Sequence, residues 1–316
     1  MSDQFISSKK PKFGQTIGVR QTTKRSFMKT ILTIIVLLLS SAVYAGTTPN
    51  IDMYAPKAGA SELYLGASLL SSKSTAVSGT TETKGSGYGL NLGYAKGFSP
   101  SVAFFVNQTM LSYKNENTTA NTVTDYKTFS QTFLGFKGLA YFGQTYLYYN
   151  LQYAASLLEK RTSNNDGTNL FQRANDRDHI AATGGFGVPL SLITVGGLYK
   201  YYQYQDTKVE TQNSEFTLKS GSGNMWKGYL QFNFGTKFGL AYGEEKVDDY
   251  DAESQGVTSV NGGYESETKF MQAYFIVPMS SSSDVLIDVV KTNLKDESAY
   301  SKYDNYLATL ALKVEY

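Results

Sequence analysis

Along most of this chain apolar and polar side chains alternate one by one, the spacing that puts every second residue of an extended strand on the same face. The final stretch is the plainest case. Tyr306, Ala308, Leu310, Leu312, Val314 and Tyr316 fall on one face, and Asn305, Thr309, Ala311, Lys313 and Glu315 on the other. Upstream, Tyr88, Leu90, Leu92 and Tyr94 oppose Gly87, Gly89, Asn91, Gly93 and Ala95. Leu147, Tyr149, Leu151 and Tyr153 oppose Tyr148, Asn150, Gln152 and Ala154, and Trp226, Gly228, Leu230, Phe232 and Phe234 oppose Lys227, Gln231 and Asn233. Carried along the chain, the pattern predicts about twelve strands, at 61–73, 86–97, 101–114, 126–142, 145–159, 178–188, 191–206, 223–234, 237–246, 266–278, 284–295 and 300–316. In 101–114 and 284–295 neither face is cleanly polar, and a slip of one residue would exchange their two faces.

The connections are of two kinds. Those near 98–100, 143–144, 189–190, 235–236 and 279–283 are short, whereas those near 74–85, 115–125, 160–177, 207–222 and 247–265 are long and polar. Short and long alternate until the last connection, near 296–299, which is short for its class. A β-sandwich has no reason to keep such a two-sided rule. The rule, together with a terminal strand that ends on an aromatic residue, Tyr316, resembles the outer-membrane β-barrels of Gram-negative bacteria, where Phe is the commoner last residue. The resemblance implies an all-β, antiparallel transmembrane barrel of about twelve strands with short periplasmic turns and long extracellular loops, porin-like but of no identified subfamily. It also implies two partners: the outer-membrane lipid with its lipopolysaccharide, and the assembly machinery that reads the C-terminal strand.

Composition agrees with that picture and narrows the chemistry. Among 316 residues there are 25 Tyr, 18 Phe and 29 Gly but only 6 Pro, a profile of strands, membrane interfaces and close backbone approach. The mean hydropathy of -0.29 does not exclude a membrane, because a barrel presents only alternate residues to lipid. With no Cys there is no disulfide framework or thiolate metal site, and a net charge of +2 gives no reason to expect nucleic acid.

A targeting signal begins at Met28: Lys29 is basic, Ile31 to Leu39 is apolar, and Ala42-Val43-Tyr44-Ala45 ends in small residues, so cleavage is expected after Ala45. The apolar run is too short to cross a bilayer as a helix. Residues 1–27, with Lys9, Lys10, Arg20, Lys24 and Arg25, read as a non-native or extended leader, 28–45 as a signal peptide, 46–60 as a periplasmic lead-in and 61–316 as the barrel.

If these registers hold, the inner wall carries Lys137, Lys200, Lys227, Lys313, Asp288 and Glu315 together with Asn91, Asn150, Gln152 and Gln231. Twelve strands enclose more room than the eight that side chains roughly fill. A water-filled channel for passive diffusion of small hydrophilic solutes follows, and the excess of Lys over acid suggests a mild anion preference. The competing reading is that these charges pair across the lumen and brace or plug it, giving a structural or adhesive barrel. Trp226, Tyr88, Tyr94, Phe234, Tyr306 and Tyr316 are expected in aromatic girdles at the two interfaces, Trp226 in the outer and Phe234 in the periplasmic one.

Two clusters invite chemistry. His179 follows Asp178, and outer-membrane hydrolases use such residues, but neighbours along a strand point to opposite faces and no Ser partner is evident. No enzyme is expected. Glu244, Glu245, Asp248, Asp249, Asp251 and Glu253 form an acidic run without the spacing of a calcium loop, so it reads as a solvated loop. The Gly-x-Gly strings at 85–89 and 221–223 lack the helix of a phosphate loop. No cofactor or metal is expected.

Overall fold

A computed structural model of the chain describes residues 52–76, 82–117, 122–161, 178–210, 215–254, 257–263, 265–296 and 301–316. The leader 1–27, the signal sequence 28–45 and the loop 162–177 lie outside the described residues. The strands are β1 (Ser61–Ala76), β2 (Glu82–Ser99), β3 (Val102–Asn117), β4 (Thr122–Phe142), β5 (Thr145–Arg161), β6 (His179–Leu190), β7 (Ile193–Tyr204), β8 (Thr207–Glu210), β9 (Glu215–Leu218), β10 (Gly221–Phe234), β11 (Thr236–Val247), β12 (Tyr250–Ser254), β13 (Val257–Gly263), β14 (Ser266–Ser280), β15 (Ser283–Asp296) and β16 (Ser301–Glu315).

Twelve of these close into one antiparallel barrel in which each strand pairs with the next in the chain, and β16 returns to β1. Closure runs the whole length of the two strands, from Glu62 opposite Glu315 to Ala76 opposite Ser301. It is sealed at the end by Ser61 N–H donating to the Tyr316 carbonyl at 2.7 Å and Tyr316 N–H donating to the Ser61 carbonyl at 2.8 Å. A closed sheet leaves no row of unpaired backbone groups, which is what permits strands to stand in lipid.

The short connections all gather at one end, the turn end. At the other, the loop end, the long connections differ from the sequence reading. The segments expected as loops at 74–85 and 115–125 are largely strand, because β1 to β5 continue upward as tall hairpins. β4 alone has 21 residues, about twice the 9–11 that span a bilayer. The segments 207–222 and 247–265 are also not plain loops. β8, β9, β12 and β13 pair into a separate four-stranded sheet in the order β13-β12-β9-β8. There Lys219 bonds Glu253 at 2.5 Å and lies 3.6 Å from Asp206, so part of the acidic run is neutralised within the loops. The hydrogen bond to Glu253 holds the Lys219 ammonium above its ordinary pKa. Among the described residues no cluster of three carboxylate or imidazole groups is arranged to hold a metal ion.

The outward face is apolar. Leu63, Leu65 and Leu69 of β1, Leu90 and Leu92 of β2, Leu147 and Leu151 of β5, and Leu310 and Leu312 of β16 are all exposed. Tyr88, Trp226 and Tyr306 flank this band toward the loop end, and Tyr94, Phe234 and Tyr316 toward the turn end; all six are exposed and outward. From Trp226 to Phe234 is eight residues, about 27 Å of strand. At a tilt of roughly 40° that is about 20 Å of height, near the ~25 Å expected of a lipid-facing band. Trp226 also packs edge-on against Tyr242 at 5.7 Å. In the two strands whose pattern was ambiguous, β3 turns Ala103, Phe105, Asn107 and Thr109 inward, and β15 turns Asp284, Leu286 and Asp288 inward.

Candidate functional site: the barrel lumen

The described part of the lead-in, residues 52–60, does not stay outside the barrel. Lys57 to Ala60 form a turn, with Ala60 N–H donating to the Lys57 carbonyl at 3.0 Å and Gly59 at a φ of 79°, a left-handed value that glycine adopts without steric cost. The turn is fastened to the end of β2 by Gly59 N–H to the Gly97 carbonyl and Gly97 N–H to the Ala60 carbonyl. It reverses the chain so that residues 52–56 run back into the lumen. Gly97 is required by this crossing, since a Cβ there would stand 2.0 Å from the Lys57 carbonyl oxygen.

Inside, Met53 is fully buried against Leu139 of β4, Tyr146 and Tyr148 of β5, Leu198 of β7, Tyr229 of β10 and Ala241 of β11. Tyr54 packs the other way, on Tyr274 and Ile276 of β14, Leu286 of β15 and Ala311 of β16. Two adjacent side chains therefore join nearly opposite walls. Burial holds the Tyr54 phenol well above its ordinary pKa, with Asp284 and Glu62 adding to the effect, so it stays neutral.

Around this core the inward tyrosines lie flat over glycines of the neighbouring strand. A Cβ on Gly187 would be 2.2 Å from the Tyr146 ring, one on Gly196 2.4 Å from the Tyr229 hydroxyl, and one on Gly239 2.0 Å from the Tyr274 ring. Each glycine removes the side chain that would hold the ring off the wall. The phenols then reach polar partners: Tyr146 and Tyr229 share a 2.6 Å hydrogen bond, Tyr229 donates to the Phe186 carbonyl at 3.1 Å, and Tyr274 donates to Gln231 at 3.0 Å. The turn-end half of the lumen is thus closely filled.

The predicted wall residues lie on the inward face, yet most are not free charges. Lys137 donates to Glu62 at 3.0 Å and lies 5.7 Å from the Phe105 ring. Lys227 bonds the Asp52 carboxylate and donates to Gln272 at 2.9 Å, and Gln272 donates in turn to Asp288 at 3.0 Å. Lys313 bonds Asp284 at 3.1 Å beneath the Tyr54 ring, 3.8 Å from its centre. Only Lys200, of the four lysines read from the sequence, has no carboxylate within 4 Å among the described residues; it lies 4.6 Å from the centre of the Tyr202 ring. Gln231 donates to Asn233 at 2.9 Å, Asn150 to Gln152 at 3.1 Å, and Asn91 to Ser68 at 3.0 Å. Glu315, opposite Glu62 at the turn end, is half-buried.

Beside Tyr54, and reaching from Glu62 up to Asn91 and Thr109, the lumen opens into a cavity of about 410 Å³. Amides (Asn91, Asn107, Asn150, Gln152) and hydroxyls (Thr109, Thr309) alternate with aromatic rings around it, and Lys200 and Asp288 put opposite charges on its wall.

His179 lies at the loop end of the same inner surface, buried edge-on between Tyr202 at 5.5 Å and Tyr204 at 5.3 Å. Asp178 accepts a hydrogen bond from Tyr153, an outward-facing residue. The pair does not share a face.

The residues that sequence reasoning missed are Asp52, Met53, Tyr54, Glu62 and Asp284. Two signals pointed to them: an apolar pair, Met53-Tyr54, in a polar lead-in, and a wall whose lysines outnumbered its acids.

No family model matches this chain, and none of the curated proteins compared with it does. Solved structures do. An outer-membrane channel from Pseudomonas putida F1 superposes with a TM-score of 0.58 at 9% identity, covering 85% of this chain and 100% of that one. The translocator domain of the autotransporter NalP from Neisseria meningitidis follows at 0.44 and 12% identity, covering 95% and 99%. The transport unit of the autotransporter AIDA-I from Escherichia coli gives 0.45 at 10% identity, covering 90% and 97%. Of these three only the first is close enough to bear on the fold, and with the closed twelve-strand barrel it shows that this chain has the fold of an outer-membrane β-barrel, of no assigned subfamily.

Proposed function

We propose that this protein is an outer-membrane channel for passive diffusion of small hydrophilic solutes. The observation that carries the reading is the polar inner wall around a cavity of about 410 Å³ inside a closed barrel. A wall built to be dry would not set amides, hydroxyls and ionised groups around open space, because each costs free energy when left without a partner. Planar-bilayer recording of the refolded chain from Gly46 to Tyr316 tests it: discrete, stable conductance steps are expected, and a protein that inserts but never conducts overturns it.

The lead-in supports a second reading, a plugged barrel with a structural or adhesive role. The two separate cleanly, since a plugged barrel stays silent whereas a narrowed channel gives small steps. On selectivity, the anion preference suggested by counting lysines loses most of its support. Three of the four are matched by Glu62, Asp52 and Asp284, and Lys200 shares its cavity with Asp288. The expected reversal potential in a salt gradient is therefore near zero. A catalytic role for His179 has no support, as its ring neighbours are tyrosines and the adjacent carboxylate is on the other face.

The remaining parts of the reading follow from the barrel. A signal peptide ending at Ala45 would deliver the chain to the periplasm, and the strand ending at Tyr316 would be read by the assembly machinery. Deleting Tyr316 is expected to lower the yield of heat-modifiable barrel in outer-membrane fractions while leaving secretion unchanged.

A further inference from the structure

The mid-lumen cavity has a composition that a plain water path does not need. Five rings, from Tyr54, Tyr64, Phe105, Phe133 and Tyr148, stand on its wall among amides and hydroxyls. Three of its wall residues also carry a buried polar atom that finds no hydrogen-bond partner among the described residues: Asn150 Oδ1, Glu62 Oε2 and Tyr54 Oη. Glu62 and Tyr54 are themselves more than nine-tenths buried. Most buried polar atoms in folded proteins are satisfied, so three such atoms just behind the wall of one cavity mark spare capacity that a side-chain rotation brings to it.

The kind of capacity is specific. Two of the atoms are acceptors and the third, a phenol oxygen, both accepts and donates. The Glu62 charge is already met by Lys137 through its other oxygen, so this oxygen calls for a donor and not for a cation. The three carboxylates, Asp52, Glu62 and Asp288, and the three lysines, Lys137, Lys200 and Lys313, that line the cavity cancel in sign. The fitting solute is uncharged, rich in hydroxyl donors, and has a C–H face that can lie on an aromatic ring. A cavity of about 410 Å³ falls in the lower part of the range for small-molecule sites.

We infer that this cavity is a binding site for a neutral polyhydroxylated solute of mono- or disaccharide size, held by Asn150, Glu62 and Tyr54 and stacked on the surrounding rings. The inference rests on the channel reading for the route by which the solute arrives.

The test is isothermal titration calorimetry of the refolded chain in detergent with glucose and sucrose, set against citrate and a choline salt as charged controls of similar size. Saturable binding of a neutral sugar but of neither charged control is expected, weakened about tenfold by Asn150→Ala through loss of one buried hydrogen bond. Tyr54→Phe, which removes only the phenol oxygen, is the second variant should Asn150→Ala not refold, and a similar weakening is expected. No saturable binding by the wild type, or preference for citrate or choline, overturns the inference. The same protein in planar bilayers keeps the two readings apart. Steps that a sugar never interrupts, together with null calorimetry, sink the site and leave the channel. Sugar binding without any conductance sinks the channel and leaves the site.

Discussion

The two halves of the lumen obey one alternation rule and end up with opposite contents. In the turn-end half Tyr146, Tyr229 and Tyr274 lie over glycines and close around Met53 and Tyr54; a few residues higher the same strands present Asn150, Lys227 and Gln272 to a polar network beside open space. Period two decides which residues face inward, but it does not decide whether the inside is full. Filling depends on a partner from outside the sheet, here the five residues 52–56 of the lead-in folded back through the Gly59 turn.

The comparison breaks most directly if the filler is removed. A chain lacking residues 46–57 should keep its barrel, since no barrel strand is touched, and show conductance steps severalfold larger than the parent in planar bilayers. Gly97→Ala should approach the same phenotype without deletion, because its Cβ cannot coexist with the Lys57 carbonyl. Unchanged steps in both variants would mean that the turn-end half does not limit flow.

Met53→Ala leaves the lead-in in place but empties its centre. A loss of about 2–5 kcal/mol is expected for a buried methionine, seen as a lower unfolding midpoint on heat-modifiability gels. A neutral result would show that the layer is not packed in solution.

Gly187→Ala and Gly228→Ala separate a glycine lying under an inward ring from one on the outward face. The first drives a methyl into the buried Tyr146 ring and should cost about 1–3 kcal/mol; the second meets nothing within 4 Å and should fall within about 0.5 kcal/mol of the parent. Equal effects would undo the ring-on-glycine account.

The smallest expected effect is electrical. Glu62→Gln removes the partner of Lys137 and leaves one uncompensated positive charge beside the cavity. Its reversal potential should move a few millivolts toward anion preference from a parent near zero, in keeping with the modest bias of a single lumenal charge. Movement toward cations would contradict the pairing.

Much of the fold was legible because membrane strands are long and their two faces differ sharply. Leu90, Leu92, Leu310 and Leu312 could only point to lipid if Asn91 and Lys313 were to avoid it. The ambiguous strands were ambiguous for a physical reason: Leu286 is apolar yet inward because it covers Tyr54, and Phe105 because it backs Lys137. The lead-in has no periodicity of its own, and its tertiary role could not be read from spacing. Residues 207–210 and 215–218 alternate over four positions only, too few to tell a strand from a polar loop. The lysines were assigned to the inner wall, but the carboxylates that neutralise three of them come from Asp52 in the lead-in, Glu62 at the first turn of β1 and Asp284 just after a hairpin, positions a face-by-face count of charges overlooked.

The Met53–Tyr54 layer has a consequence for the order of events during assembly. Its neighbours come from β4, β5, β7, β10 and β11 on one side and from β14, β15 and β16 on the other. Of these neighbours only Ala311 lies on β16, the strand that closes on β1. The Tyr54 side of the seat is therefore complete only once β16 has joined the sheet, so a fully seated lead-in reports a late stage of closure. A protease able to cut near Tyr54 distinguishes a barrel that still lacks its closing strand from a finished one, whatever its content of β-structure.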